Sequence, residues 1–453
     1  MSAAARSRGS LVSLAIVAAA LLVWAGLATQ VQLSVLDIAM QDNGDGHRVL
    51  DKAFVSREFA VFGSVPATDY PMMPLAETLT RRLIPDSLSG LIALITGTVA
   101  KLAGWERVSL LTLPYLYHLV YALGALLLIR TLTGRAAQIA TGGVLVLVLV
   151  CPLTLGLFAS FYEEAAVIAG MPLWTALALR IHRGPSTGIL FALATVAMIY
   201  AKPAVLLFVL PAVAVIWATG APGRWRLVAT GLLIFACVMG LARNSIRYGD
   251  FNGFNRLHNG VAYSLAGVSG WEARAFGERL EERMVRVDPE TAVSLGLGSD
   301  IVDRWGQSYW PDLVDVDWRE RERLAEAGML SPFLGIVLRT PEILWRTAAE
   351  SCLTAFRADY RLSYLLVGEW PPITSAILSR LGWVFAVFTL GFAAAVTTRS
   401  WLSALFLLPT VLAPLFVVLA DGYYEYEKHL IPYLVPGIIA ALGAWQLRRK
   451  KTL

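Results

Sequence analysis

Cysteine and histidine are scarce in this sequence, and their scarcity excludes several kinds of chemistry. The 453 residues include three cysteines and five histidines. The cysteines, Cys151, Cys237 and Cys352, lie far apart, so they predict neither a disulfide framework nor a metal cluster. The HExxH spacing of a zinc site and the GxxxxGK[ST] loop of nucleotide-driven machines are both absent. No metal ligand is assigned, and a divalent metal has no support in the sequence.

Charged residues are also few, whereas long apolar runs are many. Only 16% of residues are charged, 57% are hydrophobic, and the mean hydropathy is +0.62. Runs such as 11–28, 142–157 and 402–420 approach the roughly 20 residues that cross the hydrocarbon core of a bilayer. This composition predicts an integral membrane protein, because a soluble core of this size has no room for so much apolar surface.

The positions of the basic residues predict the topology. A net charge of +5 alone is compatible with nucleic-acid binding, but arginine and lysine punctuate the apolar runs as they do in cytoplasmic loops, so no nucleic-acid partner is expected. Both termini are then cytoplasmic, and all 33 acidic residues fall outside the cytoplasm. The sequence predicts about ten spans, near 11–30, 108–130, 137–156, 164–181, 186–201, 203–219, 226–244, 381–397, 401–420 and 429–446.

The predicted fold class is therefore all-α and polytopic, with three parts. Residues 1–244 form an N-terminal transmembrane module with a first external loop at 31–107, residues 245–380 form a small, mainly helical extracytoplasmic domain, and residues 381–453 form C-terminal transmembrane helices. The run 89–105 is almost long enough to cross; we expect it, like 331–356, to be a juxtamembrane helix, because a crossing there disrupts the alternation of charged loops.

Acids and bases lie just outside the span ends, and this topology gathers them on one face. A charge at membrane depth is costly unless it is paired or lines a wet cavity, so their convergence predicts a site. In the loop QDNGDGHRVLDK (41–52), Asp45 lies between two glycines, where the backbone can approach a ligand closely, and Arg48 is placed to orient it. Asp42 and Asp51 are alternatives. The competing interpretation is an Asn-Gly turn with solvated charges.

Each of the other candidates has a structural interpretation beside the functional one. Adjacent Glu163 and Glu164 at the start of a span are also typical of helix caps. Lys202 is also placed to extend its amine to lipid headgroups. Arg243 and Arg247 follow a span, and Lys428 and His429 begin the last span within a belt of aromatic residues that is typical of a membrane interface. For His258, an ordinary surface histidine is the alternative to a substrate ligand.

Together these features resemble the GT-C superfamily of polytopic glycosyltransferases, as found in bacteria. The resemblance lies in a first span followed by an acidic loop (NGDGHR), a Phe-Tyr-Glu-Glu turn that opens a span, a Lys-Pro step (AKPAVLLFVLP), the segment FNRLHNGVAYSLAG and a final KHLIPYLVP. Such enzymes take sugars from polyprenyl phosphates. The first loop of the family often has a tight pair of acids, whereas Asp42, Asp45 and Asp51 are spread.

The resemblance implies a plasma-membrane enzyme with an extracytoplasmic site that moves a sugar from a polyprenyl-phosphate donor to a glycan, lipid or protein acceptor. It places the general base in the first loop, at Asp45, with Asp42 and Asp51 in reserve. A departing phosphate requires cations, for which the candidates are Lys202, Arg247, Lys428 and His429. Arg48, Glu163, Glu164 and His258 are expected to contact substrate. No cofactor beyond the lipid-linked donor is expected.

Two other classes remain open. A transporter or flippase of a lipid-linked glycan or small solute also uses intramembrane charges and broken helices, but it needs polar groups at both faces. An oligosaccharide polymerase or ligase shares the same predicted topology.

Overall fold

The structure is a computed structural model, and it describes residues 39–40, 46–59, 67, 69–74, 87–132, 134–181, 184–218, 223–255, 366–367, 381–421 and 426–449. Within them the chain is mostly helical, as expected of an all-α protein. The α-helices are α1 (His47–Leu50), α2 (Leu88–Leu102), α3 (Thr112–Thr131), α4 (Arg135–Val150), α5 (Pro152–Phe158), α6 (Glu164–Arg180), α7 (Pro185–Ala201), α8 (Val209–Ala218), α9 (Gly223–Asn255), α10 (Leu381–Thr397), α11 (Trp401–Asp421) and α12 (Tyr426–Arg449).

Short strands and 3₁₀ turns complete the described elements. The strands are β1 (Ala39–Met40), β2 (Asp69–Pro71), β3 (Arg107–Ser109) and β4 (Leu366–Val367), and the 3₁₀ helices are Arg57–Phe59 and Pro203–Phe208. Strand β2 pairs antiparallel with β3, and β1 pairs antiparallel with β4. The second pairing joins the first predicted external segment to the end of the second.

Helix α6 lies at the centre of the bundle. Nearly all of its residues are buried, and it packs against α3, α5, α7 and α12. A helix that is apolar on every side is expected in such a position. Trp174 is completely buried near the middle of α6, and its ring contacts the rings of Phe191, Phe208 and Phe406 from three other elements.

The directions of the central helices follow from pairs of contacts. Arg180 of α6 donates from Nε to Thr131 Oγ1 of α3 at 2.6 Å, and Leu173 lies against Gly124. Both contacts join residues 49 positions apart, so α3 and α6 run parallel. Trp174 Nε1 donates to Thr195 Oγ1 at 2.9 Å, and a Cβ added to Gly170 would lie 3.7 Å from Met198 Cγ. Because the earlier residue of α6 meets the later residue of α7, the two helices are antiparallel. We refer below to the Glu164 end and the Arg180 end of this bundle.

Helices α11 and α12 form a second antiparallel pair that packs on α6. Thr410 Oγ1 of α11 donates to the backbone carbonyl of Tyr433 at 3.1 Å, and Gly437 lies directly against Thr410. One and a half turns further along α12, Gly443 lies against Thr175 of α6. Small residues let helices approach this closely, as is typical where helices associate by van der Waals packing.

The first loop folds back onto the bundle beside α2. The backbone of Ala53 lies against Gly97 of α2, where an added Cβ would be 2.8 Å from the Ala53 carbonyl carbon. Phe54 has a positive φ of 61°, which is unusual for a residue other than glycine, and its carbonyl accepts from Met73 N at 2.8 Å. Helix α2 itself begins at Ser87, whose Oγ accepts from Gly90 N at 3.0 Å.

Described helices occupy nine of the regions where spans are predicted, with two differences. The predicted span 137–156 is divided into α4 and α5 at Cys151, because Pro152 cannot donate a hydrogen bond to continue α4. The predicted span 203–219 begins as a 3₁₀ helix after Pro203 and becomes α-helical at Val209. The run 89–105 corresponds to α2, whereas 11–30, 331–356 and most of the 245–380 domain lie outside the described residues.

Two described helical segments, Thr112–Thr131 and Gly223–Gly240, are long and apolar enough to cross a membrane. The other apolar segments are shorter, at 10–17 residues: Leu88–Leu102, Arg135–Val150, Pro185–Ala201, Val205–Ala218, Phe385–Thr397, Trp401–Pro414 and Leu430–Gly443. The number of about ten spans therefore stays a prediction.

Candidate functional site

Glu164 and Lys202 form an ion pair at one end of the α6–α7 hairpin. The Lys202 amine donates to Glu164 Oε1, and the two side chains are only 15% and 2% exposed. Because the helices are antiparallel, the first residue of α6 and the residue that follows α7 reach the same level. Lys202 adopts an extended backbone, with φ −148° and ψ 120°, before Pro203 begins the 3₁₀ helix. A proline disfavours helical geometry in the residue before it, so the sequence itself ends α7 here.

An enclosed pair of this kind is electrostatically expensive. Removing two charges from water costs several kcal/mol per ion, and their attraction offsets that cost only with good geometry and further hydrogen bonds. The Lys202 amine is bound to a carboxylate, so the structure does not show it extended to lipid headgroups. The position of Glu164 in the first turn of α6 adds a favourable interaction with the helix dipole. Enclosed charges of this kind occur in functional sites as well as in structural ion pairs.

The turn before α6 is built from hydrogen bonds within the Ser160–Glu163 segment. Ser160 Oγ donates to the Leu157 carbonyl at 2.6 Å and accepts from Tyr162 N at 3.2 Å. Glu163 lies half-buried at the position before the helix, yet its side chain makes no capping hydrogen bond to α6. A side-chain capping hydrogen bond therefore does not account for Glu163, whereas Glu164 in the first turn is placed to interact with the helix dipole.

Aromatic and hydroxyl side chains that the sequence analysis did not single out surround this end. Ser89 Oγ of α2 and Tyr117 OH of α3 share a buried hydrogen bond of 2.7 Å. The ring of Tyr117 lies 5.7 Å from that of Phe158, and the ring of Tyr70 lies 6.3 Å from that of Phe161, measured between centroids. The first loop, α2 and the Phe-Tyr-Glu-Glu turn thus meet. A sequence signal existed, since Ser89 and Tyr117 are polar groups inside apolar runs.

His118 is a second buried polar group of α3 at this end. Its ring lies edge-on to Phe158 with centroids 4.9 Å apart, and Nδ1 is 2.7 Å from the Pro114 carbonyl. A carbonyl only accepts, so Nδ1 carries the proton. Nε2 is buried, and no donor among the described residues lies within hydrogen-bonding distance of it. The sequence analysis did not assign a role to this residue.

Three described charges near the start of the first loop are at least partly enclosed. Asp51 and Lys52 are 5% and 7% exposed, and Arg48 in α1 is partly buried. All three take part in hydrogen bonds or electrostatic interactions. Asp51 is therefore not a solvated charge, and Arg48 is only partly solvated. The favoured base, Asp45, and its alternative Asp42 lie outside the described residues, so the choice of base stays a prediction.

The remaining candidates are placed only by their positions on helices or lie outside the described residues. Arg243 and Arg247 belong to α9, one and two turns beyond Gly240, which lies against Ile199 near the end of α7. Lys428 and His429 occupy the first turn of α12, immediately before Leu430, which is completely buried. His258 lies outside the described residues.

Metal binding finds no support in the part of the chain that the structure describes. No group of three or more histidine, cysteine, aspartate or glutamate side chains is close enough there to hold an ion. The Glu164–Lys202 pair is instead suited to binding an anion or a hydroxyl, because a partly enclosed cation makes stronger hydrogen bonds than one in water.

No protein-family model, no curated protein and no solved structure matches this chain. The resemblance to the GT-C superfamily stays a prediction.

Proposed function

We propose that this chain is a polytopic membrane enzyme with the Glu164 end outside the cytoplasm. The distribution of apolar side chains supports this proposal. Large hydrophobic residues that face outward are strongly exposed, among them Ile139 (71%), Leu147 (69%), Phe235 (62%), Val387 (66%) and Leu390 (70%). Apolar patches of this extent are costly in water, whereas lipid covers them at no such cost. The basic residues Arg130, Arg135 and Arg180 lie at the opposite end, which is the cytoplasmic side by the distribution of charges.

The proposed reaction is transfer of a sugar from a polyprenyl-phosphate donor to a glycan, lipid or protein acceptor. An acceptor hydroxyl attacks the anomeric carbon, the bond from that carbon to the phosphate oxygen breaks, and the phosphate leaves with the electron pair. The reaction needs a carboxylate to take the hydroxyl proton and a cation to stabilise the departing phosphate. The enclosed Lys202 amine, held by Glu164, is the observation that carries this proposal.

Glu164 and Lys202 have distinct roles in this proposal. Lys202 binds the donor phosphate, and Glu164 keeps the amine charged and positioned while the site is empty. Arg247, Lys428 and His429 are further candidates for the phosphate, since Arg247 lies in α9 and the other two lie in the first turn of α12, immediately before the buried Leu430. The outer ends of α3, α6 and α7 line the lipid side of the site.

The first loop supplies the base. We assign this role to Asp45, with Asp51 and Asp42 as the alternatives, because the described part of the first loop reaches the Phe-Tyr-Glu-Glu turn, where the ring of Tyr70 lies 6.3 Å from that of Phe161. A positioned general base contributes about 10² to 10⁴-fold in rate. Arg48, Glu163 and His258 are proposed to contact the acceptor or the sugar.

The test is sugar transfer by the full-length protein reconstituted in vesicles with a polyprenyl-phosphate sugar. We expect Asp45→Asn to lower turnover by at least the factor that a general base contributes, about 10²-fold. The matched control is Asp69→Asn, because Asp69 belongs to the same loop but is exposed and pairs with Arg107. If Asp45→Asn keeps full turnover and Asp51→Asn or Asp42→Asn does not, the base moves to that residue. Full turnover in all three variants would contradict the proposed reaction.

Donor binding is measured separately from turnover. Lys202→Gln is expected to weaken binding of the polyprenyl-phosphate sugar about tenfold or more, because a charge-assisted hydrogen bond is worth about 1.5–3 kcal/mol. Arg107→Gln is the control, since Arg107 is also paired with a carboxylate but is exposed. Equal donor affinity in Lys202→Gln and the wild type would remove Lys202 from the site.

A further inference from the structure

The end of α8 and the start of α9 carry a group of basic and aromatic side chains that the proposed reaction does not use. The guanidinium carbon of Arg226 lies 5.9 Å from the ring centroid of Trp217. The guanidinium carbon of Arg224 lies 5.7 Å from the ring centroid of Trp225. Trp217 Nε1 donates to Thr230 Oγ1 at 2.9 Å, which fixes the end of α8 against the start of α9. We call these five residues, Trp217, Arg224, Trp225, Arg226 and Thr230, the Arg226 cluster.

The Arg226 cluster lies at the Arg180 end of the bundle, opposite the proposed catalytic site. The 3₁₀ helix starts next to Lys202 and ends at Phe208, whose ring is 6.0 Å from that of Trp174 in the middle of α6. The chain therefore runs away from the Glu164 end, and α8 continues in that direction until Ala218. Arg130 and Arg135 lie at this same end, where α3 ends and α4 begins.

Positive charge at this end has no acidic counterpart in the part of the chain that the structure describes. Five arginines and no aspartate or glutamate lie among the described residues of this end, which are 130–132, 134–135, 180–181, 184–185, 217–218 and 223–226. Arg226 is partly exposed, but its Nε is buried, and no acceptor among the described residues is within hydrogen-bonding distance of that atom. A buried donor without an acceptor is costly. The exposed part of the Arg226 side chain is the part that an anion from outside the chain can reach.

Apolar side chains next to the Arg226 cluster distinguish between kinds of anion. Leu227 and Val228, which directly follow Arg226 in α9, are 64% and 48% exposed. A free phosphate ion gains nothing from such neighbours, whereas a lipid places its headgroup on the arginines and its acyl chains on Leu227 and Val228. Tryptophan is also the residue that membrane proteins place at the level of the headgroups. The rings of Trp217 and Trp225 restrict the guanidinium groups and partly desolvate them, which favours ion pairing.

We propose that the Arg226 cluster is a binding site for the phosphate headgroup of an anionic phospholipid in the cytoplasmic leaflet. This site goes beyond the proposed sugar transfer, although it rests on the proposal that the chain is embedded in a membrane. The headgroup ties the end of α8 and the start of α9 to the membrane surface, and α9 carries Arg243 and Arg247 at its far end.

The experiment measures lipids that remain bound to the full-length protein. Protein is exchanged into vesicles of phosphatidylcholine mixed with phosphatidylglycerol, extracted, and examined by native mass spectrometry. We expect the wild type to retain phosphatidylglycerol in preference to phosphatidylcholine, and Arg226→Gln to lower that preference about fivefold, which corresponds to about 1 kcal/mol for one basic side chain at an anionic surface. Arg135→Gln is the control, because Arg135 is an exposed arginine at the same end without a described tryptophan contact.

The outcomes separate this inference from the proposed function. A membrane-embedded wild type without preference for phosphatidylglycerol, or equal losses in Arg226→Gln and Arg135→Gln, overturns the headgroup site and leaves the sugar transfer standing. Inorganic phosphate that displaces phosphatidylglycerol at matched concentration overturns the assignment to a lipid. If Arg226→Gln does not fold, Arg224→Gln replaces it, and the same loss of preference is expected because Arg224 is exposed. A protein that does not enter vesicles contradicts the membrane proposal itself.

Discussion

Gly124 of α3 lies so close to α6 that a Cβ added to it would be 2.5 Å from the backbone nitrogen of Leu173. At the ends of the same two helices Arg180 donates to Thr131, so the helices stay in contact along their length. Helix α6 carries Glu164, and α3 carries Tyr117 and His118 at the same end. The α3–α6 contact at Gly124 therefore fixes the positions of the polar groups at the Glu164 end.

The first prediction concerns this contact. Gly124→Ala is expected to destabilise the protein by about 1–3 kcal/mol, because the added methyl group forces α3 away from α6. The control is Gly143→Ala in α4, where an added Cβ has no neighbour within 4 Å. Alanine favours a helix by about 0.8–1 kcal/mol over glycine, so the control should be neutral or stabilising. Unfolding in mixed detergent measures both variants, and equal stability of the two would contradict the close packing.

The second prediction concerns the enclosed ion pair. Lys202→Met alone is expected to cost about 3–5 kcal/mol, because it leaves the Glu164 carboxylate buried without its cation. The double variant Lys202→Met with Glu164→Leu should recover most of that loss, since two apolar residues need no desolvation of charge.

The same comparison at the exposed Arg107–Asp69 pair is the control for the second prediction. There the side chains are 57% and 46% exposed, so the single and the double replacement should each change stability far less than Lys202→Met does. If the double variant at Glu164 and Lys202 is as unstable as Lys202→Met alone, the lost stability does not come from an unpaired charge.

Much of the helical framework could be predicted from sequence because long apolar runs have few alternative structures. Local signals also placed Glu164 and Lys202 at the ends of consecutive helices, and the antiparallel packing of those helices brings them together. Contacts between distant segments could not be predicted in this way. The pairing of β1 with β4 joins residues 39–40 to residues 366–367, and the Ser89–Tyr117 bond depends on how α2 packs on α3. Neither has a periodic pattern in the sequence.

The same limit applies to the site. The sequence indicated that acids and bases gather at one end, but it left the role of Glu163 open between a cap and a ligand. Only the geometry of the turn, where Ser160 makes the local hydrogen bonds, shows that Glu163 is not a cap. The burial of Asp51 and Lys52 likewise depends on the packing of Ala53 against Gly97, which no local pattern specifies.

The third prediction concerns pH. The hydrogen bond from Arg107, together with its charge, holds the pKa of Asp69 below the ordinary value of 3.8. A carboxyl whose pKa is lower in the folded state contributes stability above its unfolded pKa and loses it as the pH falls through the folded pKa. Any advantage in melting temperature of the wild type over Asp69→Asn should therefore be constant from pH 8 to about 5 and vanish only below 3.8. A loss of the advantage near neutral pH would contradict this ion pair.

The fourth prediction tests which end of the bundle faces outward. Glu106 precedes β3 at the end of the bundle that carries Glu164, and Arg135 begins α4 at the opposite end; both residues are exposed. In a variant without its three native cysteines, Glu106→Cys should react with a membrane-impermeant maleimide in intact cells. Arg135→Cys should react only after the membrane is permeabilised, because basic loops are retained in the cytoplasm. Both cysteines should react fully with the protein in detergent, which controls for accessibility. The opposite labelling pattern in cells would place Glu164 and Lys202 at the cytoplasmic face, where they could not act on an extracytoplasmic donor.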